Sequence, residues 1–472
     1  MSGQSSKSAF KYLAIHILLL LQVAFLANAA AASADAQGQT SSQWSRAAEI
    51  LARIGIATFP AREFVITDFG AAADGGSDCT IAIRKAIEAC HQAGGKVVVP
   101  EGEFLTGPIH LQSNVELHLA RGAILRFTTD PKAYVPVVLT RFEGMECYNY
   151  SPLIYAFEQE NVAVTGEGTL DGQASDESWW QWKGGRGARE GGRNQKSARD
   201  RLGKMVDANV PVEKRQFGEG TYLRPSFVEF NRCRNVLIQG VHILRSPMWE
   251  IHPLLCTNVV VRGVNIDSHG PNNDGCDPES CRDVLIEDCV FDTGDDCIAI
   301  KSGRNNDGRR IGLASENIII RRCTMKDGHG GVVIGSEISG GCRNIFAEDC
   351  AMDSPNLERV LRLKSNAVRG GVIENVFMRI MRVGQVKDAV LQVDFVYEEG
   401  ANGPLKPAAR NIVMQNITVE HTPRVLNVVG FPGAEISGVR IYDSTFNDVS
   451  NKDMVTDADV KLLNCDVSGE KK

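Results

Sequence analysis

The sequence predicts an all-β fold: a single-stranded, right-handed parallel β-helix with an N-terminal capping helix. Three observations lead there. A short pattern recurs as Asn235-Val-Leu-Ile, Asn258-Val-Val-Val, Asp283-Val-Leu-Ile, Asn317-Ile-Ile-Ile, Asn344-Ile-Phe-Ala and Asn411-Ile-Val-Met. The first five starts are 23, 25, 34 and 27 residues apart, a coil-sized period with loop insertions. Offsets one, three, six and eight from each start are apolar, as in Val241, Val264, Cys289, Cys323, Cys350 and Ile417 at offset six, so two short period-two strands meet at a bend.

Stacked coils bring the same position of successive repeats to about 4.8 Å of one another. An asparagine or aspartate at each start suits a bend with left-handed backbone geometry. The repeat also orders the cysteines. Cys289, Cys323, Cys350 and Cys465 fall at offset six, and Cys233, Cys256, Cys281 and Cys342 lie two residues before a start. Eight of the thirteen therefore read as rungs of interior ladders, where a thiol acts as a small hydrophobe. Zinc is the rival reading, weakened by the lack of a CxxC pair among those eight.

Weaker copies at Asn114, Asn161 and Asp459 extend the solenoid over residues 62–472 as one domain, against the two or three that 472 residues suggest by length alone. Residues 79–93 carry apolar groups at helical spacing before Gly94-Gly95 and supply the cap that an open solenoid end needs.

Ahead of it, Lys7 and Lys11, the apolar stretch Tyr12 to Leu26 and Ala27-Asn28-Ala29 read as a signal peptide over 1–29, with an uncleaved anchor as the alternative. Residues 30–61 are then an N-terminal segment and linker. An exported protein follows, destined for the medium, cell wall or periplasm. With 51 basic and 58 acidic residues the net charge is −7, so no chain-wide basic footprint exists for nucleic acid. After signal cleavage no membrane association is expected.

Four segments share one further strand, each ending in serine: Asn273 to Ser280, Asp295 to Ser302, His329 to Ser336, and Arg359 to Ser365. Aligned on the serines, Asp274 and Asp296 share a position, Asp295 shares one with His329, and Arg362 and Lys364 fall nearby. One carboxyl could protonate a leaving oxygen while another activates water, which is glycosidic hydrolysis. Crowding raises the pKa of one carboxyl and keeps a general acid protonated. Arg362 and Lys364 complement a carboxylate-bearing sugar. Each element has a plainer reading: Asp-Asp as a turn cap, His329 as a turn histidine, Arg362 and Lys364 as a solvated face. Calcium on Asp274, Asp277, Asp295 and Asp296 is a further rival. Registration on consecutive coils favours the catalytic patch.

At this point the chain resembles the polygalacturonases of glycoside hydrolase family 28. The family's motifs Asn-Thr-Asp, Gly/Gln-Asp-Asp, Gly/Ser-His-Gly and Arg-Ile-Lys match Asn272-Asn273-Asp274, Gly294-Asp295-Asp296, Gly328-His329-Gly330 and Arg362-Leu363-Lys364 in order, with Asn273 and Leu363 as departures. Ile66 to Ala71 and Asp171-Gly172 are also similar to the family. The resemblance implies that Asp295 is the general acid, that Asp274 with Asp296 deprotonates water, and that the anomeric carbon inverts. It implies that His329 tunes the acid, that Asn272, Arg362 and Lys364 hold the uronate, and that Tyr397 stacks on substrate. Stacked Asp274 and Asp296 stand closer than the roughly 6.5–9.5 Å of inverting pairs, but neither is the acid in this scheme.

Between residues 173 and 222 the repeat lapses into an insertion with Trp179, Trp180 and Trp182. Residues 183–215 hold ten basic and four acidic residues, a net of +6. One reading is a mobile solvated loop. The sharper one has the insertion wall one end of a groove, its cations attracting polyuronate and its tryptophans stacking on sugars, which favours exo attack.

The expectation is a secreted polygalacturonase acting on pectin or oligogalacturonides, monomeric, with no cofactor and no metal. The alternatives are a hydrolase of a modified pectin such as rhamnogalacturonan, a calcium-dependent pectate lyase, or a non-catalytic glycan-binding β-helix.

Overall fold

The computed structural model describes residues 43–184 and 193–469, so the signal-peptide reading of 1–29 lies outside the described residues. The chain divides into two compact units, Met1–Arg53 and Ile54–Lys472. In the first, residues 43–53, within the expected N-terminal segment and linker, form a helix (α1). No helix among the described residues is long and apolar enough to cross a membrane.

The second unit is a parallel β-helix. Its coils superpose in the register the repeat predicts: Val236 pairs with Val259, Val259 with Val284, Val284 with Ile318 and Ile318 with Ile345. The ladder continues through Val376, Ile412, Val439 and Val460. Asn375 belongs to this series and fills the gap the sequence reading left between Asn344 and Asn411. Most of these side chains are fully buried, each stabilising the fold by about 1.5–3 kcal/mol.

The bends are set by backbone handedness. Asn161, Asn235, Asn258, Asp283, Asn317, Asn344, Asn375 and Asn411 have φ between 54° and 59°. Asparagine tolerates that geometry, and its amide also bridges coils. The Nδ2 of Asn235 donates to Asn161 and that of Asn258 to Asn235, both at 2.9 Å, and a second run starts at Asp283, which accepts from Asn317, with Asn344, Asn375 and Asn411 following. A second bend lies five residues on, at Asp288, Arg322, Asp349, Ile380 and Asn416, again with positive φ.

All thirteen cysteines carry free thiols, twelve of them buried. Cys233, Cys256 and Cys281 stack on consecutive coils, and Ser315 takes the next rung before Cys342.

Helix Thr80–Ala93 (α2) buries Ala82, Ile83, Ala86, Ile87 and Cys90 in the core and packs on Glu63–Val65, Gly95–Val99 and Ile109–His110, the first coils of the solenoid. That is the expected cap.

A third sheet face matters for function. It runs from Ile109–His110 through Ile154–Phe157, Val228–Asn231 and Ile251–Leu254, then through single bridges at Cys276 and Glu279 into Ile298–Ile300, Val332–Ile334 and Arg359–Lys364. Pro278 lies in the rung that forms bridges only, as expected of a residue without an N–H. An antiparallel hairpin, Val138–Phe142 with Met145–Asn149, turns at Glu143 (φ 46°) and Gly144 (φ 78°). Its side chains hydrogen-bond the outer side of this face, Arg141 to Glu279 at 2.8 Å and Thr140 to Glu229 at 2.5 Å.

Candidate active site

The strand register reproduces the serine alignment. Cys276 opposes Ile298, Ile298 opposes Val332, and Val332 opposes Leu361. Asp274 therefore stacks on Asp296, Asp295 on His329, and Arg362 and Lys364 follow on the next coil. Side chains two apart on a strand share a face, so Leu363 is fully buried in the core while Arg362 and Lys364 face the carboxylates.

The departure at Asn273 has a structural explanation. Its Oδ1 accepts from Ser268 and Gly270, and its Nδ2 donates to the Ser246 and Met248 carbonyls at 3.1 and 2.8 Å. This fully buried amide braces the loop that presents Asp274. Gly294 has a comparable role, because a Cβ there would stand 2.4 Å from the Gly270 carbonyl oxygen.

Each aspartate has its own partners. Asp295 Oδ1 lies 2.9 Å from His329 Nδ1 and accepts the Asp296 N–H at 3.0 Å, and its Oδ2 accepts from Asn272 Nδ2 at 3.3 Å. Asp296 is held by Lys364 Nζ at 2.7 Å, with Arg362 at 3.8 Å. Asp274 faces Lys301 Nζ at 3.4 Å, and its Oδ1 has no partner among the described residues.

These environments divide the protons. Burial pushes Asp274 up to about 8, with Asp295 adding to the effect. Burial would lift Asp295 as well, but the hydrogen bond and charge of His329, backed by Lys364 and Lys301, hold it below the usual carboxylate range. The same hydrogen bond raises His329 to about 9, so the imidazole is protonated at neutral pH. The sequence reading expected the raised carboxyl to be the acid. In the free protein it is instead Asp274, which lacks the second and third donors that Asp295 enjoys.

A cavity of about 120 Å³ opens over this floor. It brings together Asp274, Asp295, Asp296, Asn272, Lys364 and Tyr397 from the sequence reading, whereas His329 and Arg362 lie beside it. Tyr397 sits against both cations, its ring 5.7 Å from the Arg362 guanidinium and 5.5 Å from Lys364 Nζ.

Four lining residues escaped the sequence reading, Lys301, Glu143, Arg304 and Glu337, whereas Lys183 and Arg199 are cations of the expected insertion. Lys301 had a signal, since it occupies the column of Lys364 in the serine alignment. It also lies over the Trp249 ring at 4.6 Å. Lys183 and Arg224 both donate to Asn272 Oδ1, at 2.6 and 2.8 Å.

The insertion reaches the site by its cations, not its tryptophans. Trp179 and Trp182 are buried in an aromatic cluster with Tyr134, Tyr150 and Tyr222, and the Trp180 indole donates to the Ser246 carbonyl. Burial of Trp179 and Trp182 overturns the expected sugar stacking for those two, while Trp180 is half-buried. The plainer reading holds only in part: Arg193, Lys196, Arg201, Lys204 and Lys214 are exposed, while other described basic residues are built into the fold. Helix Lys196–Asp207 (α3) packs on the hairpin through Ala198, Leu202 and Val206, Arg199 binds Glu143, and Arg215 is buried against Asp307. Arg186 and Arg189 lie outside the described residues.

Asp295, Asp296 and His329 also bring one ligand atom each within 4.8 Å of one another. Lys364 on Asp296 and the protonated imidazole already balance those carboxylates, which disfavours a cation there. Asp277, a member of the expected calcium set, is fully buried and its carboxylate has no hydrogen-bond partner among the described residues.

The family description Glycosyl hydrolases family 28 matches residues 212–450, a span holding all four motifs. The chain belongs to glycoside hydrolase family 28. Within the family it is 28% identical over 399 residues to a probable polygalacturonase of Vitis vinifera, covering 81% of this chain and 74% of that one. It is 29% identical over 394 residues to an exo-poly-alpha-D-galacturonosidase of Dickeya chrysanthemi, covering 75% and 62%. A solved structure of a hyperthermoactive exopolygalacturonase from Thermotoga maritima superposes with a TM-score of 0.86 at 45% identity, covering 89% of this chain and 95% of that one.

Proposed function

We propose that this family 28 enzyme hydrolyses α-1,4-galacturonosyl linkages of pectin from the chain end, by single-displacement inversion and without metal. The observation that carries this reading is the convergence of Asp274, Asp295 and Asp296 with Lys364 and Arg362 on consecutive coils of one sheet face. The 45% identity to an exopolygalacturonase supports the substrate and the mode of attack.

Asp295 and His329 hold one proton between them across a 2.9 Å hydrogen bond. Transfer of that proton to Asp295, and from there to the glycosidic oxygen, lets the leaving sugar depart as an alcohol. Asp296 takes the proton of the water that attacks the anomeric carbon from the opposite face, and Asp274, which burial keeps protonated in the free protein, holds that water by hydrogen bonding. Arg362, Lys364 and Tyr397 orient the uronate. The cavity is small beside the ~300–1,000 Å³ of typical ligand sites, which suits one terminal sugar. The apolar N-terminus preceded by Lys7 and Lys11 supports export, which N-terminal sequencing of the mature protein would establish.

The test is reducing-sugar release from polygalacturonate in EDTA, with products sized and their anomeric configuration followed by NMR. Monomer or dimer with the β configuration, abolished in Asp295→Asn, is expected. Unsaturated products lost in EDTA would replace this reading with a lyase. Release from rhamnogalacturonan alone would replace the substrate, and binding without turnover would leave a glycan-binding protein.

A further inference from the structure

We propose that Glu143 reads the chain end: its carboxylate accepts a hydrogen bond from the free 4-hydroxyl of the non-reducing terminal galacturonate. This rests on the exo reading above and assigns its specificity to one residue.

Glu143 occupies the two-residue turn of the hairpin, where both it and Gly144 have left-handed backbone geometry. Three chain segments meet there. Arg199 of α3 donates to Glu143 Oε2 at 2.5 Å, and Arg304, just after the strand Ile298–Ile300, donates to the same oxygen at 3.2 Å. The Gly144 carbonyl accepts the Arg304 N–H at 3.0 Å, so close that a Cβ on Gly144 would stand 2.7 Å from that nitrogen. Arg304 is tied in turn to Glu337 at 3.5 Å and to Glu398 at 3.3 Å. The turn is thus pinned from the insertion on one side and from the coil loops on the other. In the proposal this pinned turn is where the polymer ends.

The same cavity wall carries Glu143 and the floor carries Asp274 and Asp295. His329 and Arg362 do not line this cavity, so Glu143 and the rest of its lining lie to the Asp274 side of the site, where the attacking water and the glycone sugar belong. An ionised carboxylate only accepts hydrogen bonds. It would repel a uronate carboxylate, which Lys183, Arg199 and Arg304 attract instead, and it needs a hydroxyl opposite. A terminal unit offers one at C4. An interior unit has that oxygen in a glycosidic bond with no hydrogen to give.

The experiment compares kcat/KM on saturated trigalacturonate with that on a trimer whose non-reducing unit is 4,5-unsaturated and lacks the 4-hydroxyl. A site built around a hydroxyl rejects an analogue without it by a large factor. Wild type should favour the saturated trimer at least ~100-fold, and Glu143→Ala should lose most of that ratio by slowing only the saturated substrate. The isosteric Glu143→Gln, which keeps an acceptor oxygen and the shape of the turn, should give an intermediate ratio. An unchanged ratio in Glu143→Ala, or equal slowing on both trimers, would overturn the proposal. So would sensitivity to borohydride reduction of the far end, which would place the wall at the reducing terminus. Failure of the exo reading looks different: wild type itself would release mid-length oligomers from polygalacturonate at first.

Discussion

Nδ1 of His329 stands 2.9 Å from Oδ1 of Asp295, and the two share a rung of the third sheet face. This pairing keeps the carboxylate ionised and the imidazole protonated, so histidine serves as the proton store for its neighbour. His329→Ala should lower kcat by roughly 10²–10³ with little change in KM, in line with the usual contribution of proton transfer. Steady-state kinetics on oligogalacturonides across pH 4–9 would check it. A larger change in KM than in kcat would assign His329 to binding instead.

Lys364 is buried with its Nζ 2.7 Å from Asp296. Removing one partner of a buried pair leaves an uncompensated charge, which costs about 3–5 kcal/mol. Lys364→Gln should therefore melt well below wild type and lose activity. The double variant Lys364→Gln, Asp296→Asn should recover most of the stability but none of the activity, as calorimetry and assay together would reveal.

His252 is buried between Glu229 at 3.3 Å and Glu279 at 3.0 Å. Burial alone would depress it, but the two glutamates outweigh that and raise it to about 9 from an ordinary 6.5. A folded value above the unfolded one means that its stabilisation is complete below pH 6.5 and is lost as pH rises through about 9. Thermal melts should fall across that window. His252→Gln should be less stable at pH 6 and show a shallower decline, with remaining slope contributed by His329 and by Asp274, whose raised values fall in the same window.

Trp179 is 1% exposed and packs edge-on against Tyr134 and Trp182. Trp179→Ala should cost about 3–5 kcal/mol of stability through the cavity it leaves. Below the lowered melting temperature, KM for oligogalacturonides should stay near wild type. A rise in KM without loss of stability would restore a sugar-stacking role.

The β-helix, its register and the four-coil convergence of Asp274, Asp295, Asp296, His329, Arg362 and Lys364 were legible in the sequence. The reason is physical: in a solenoid each coil contacts only its neighbours, so a fixed offset from a repeated asparagine is already a position in space. Asn375 was missed although it obeys the same rule.

What only the tertiary structure decided lies in contacts between segments far apart in the chain. The hairpin Val138–Asn149, α3 and the loop at Arg304 meet at Glu143 across 56 and 161 residues, and no local pattern encodes that meeting. The choice of protonated group followed the same rule. Three aspartates of one residue type differ in the free protein because three-dimensional packing gives Asp295 a histidine, an asparagine and a backbone amide, gives Asp296 a lysine, and leaves Asp274 buried with one distant ammonium.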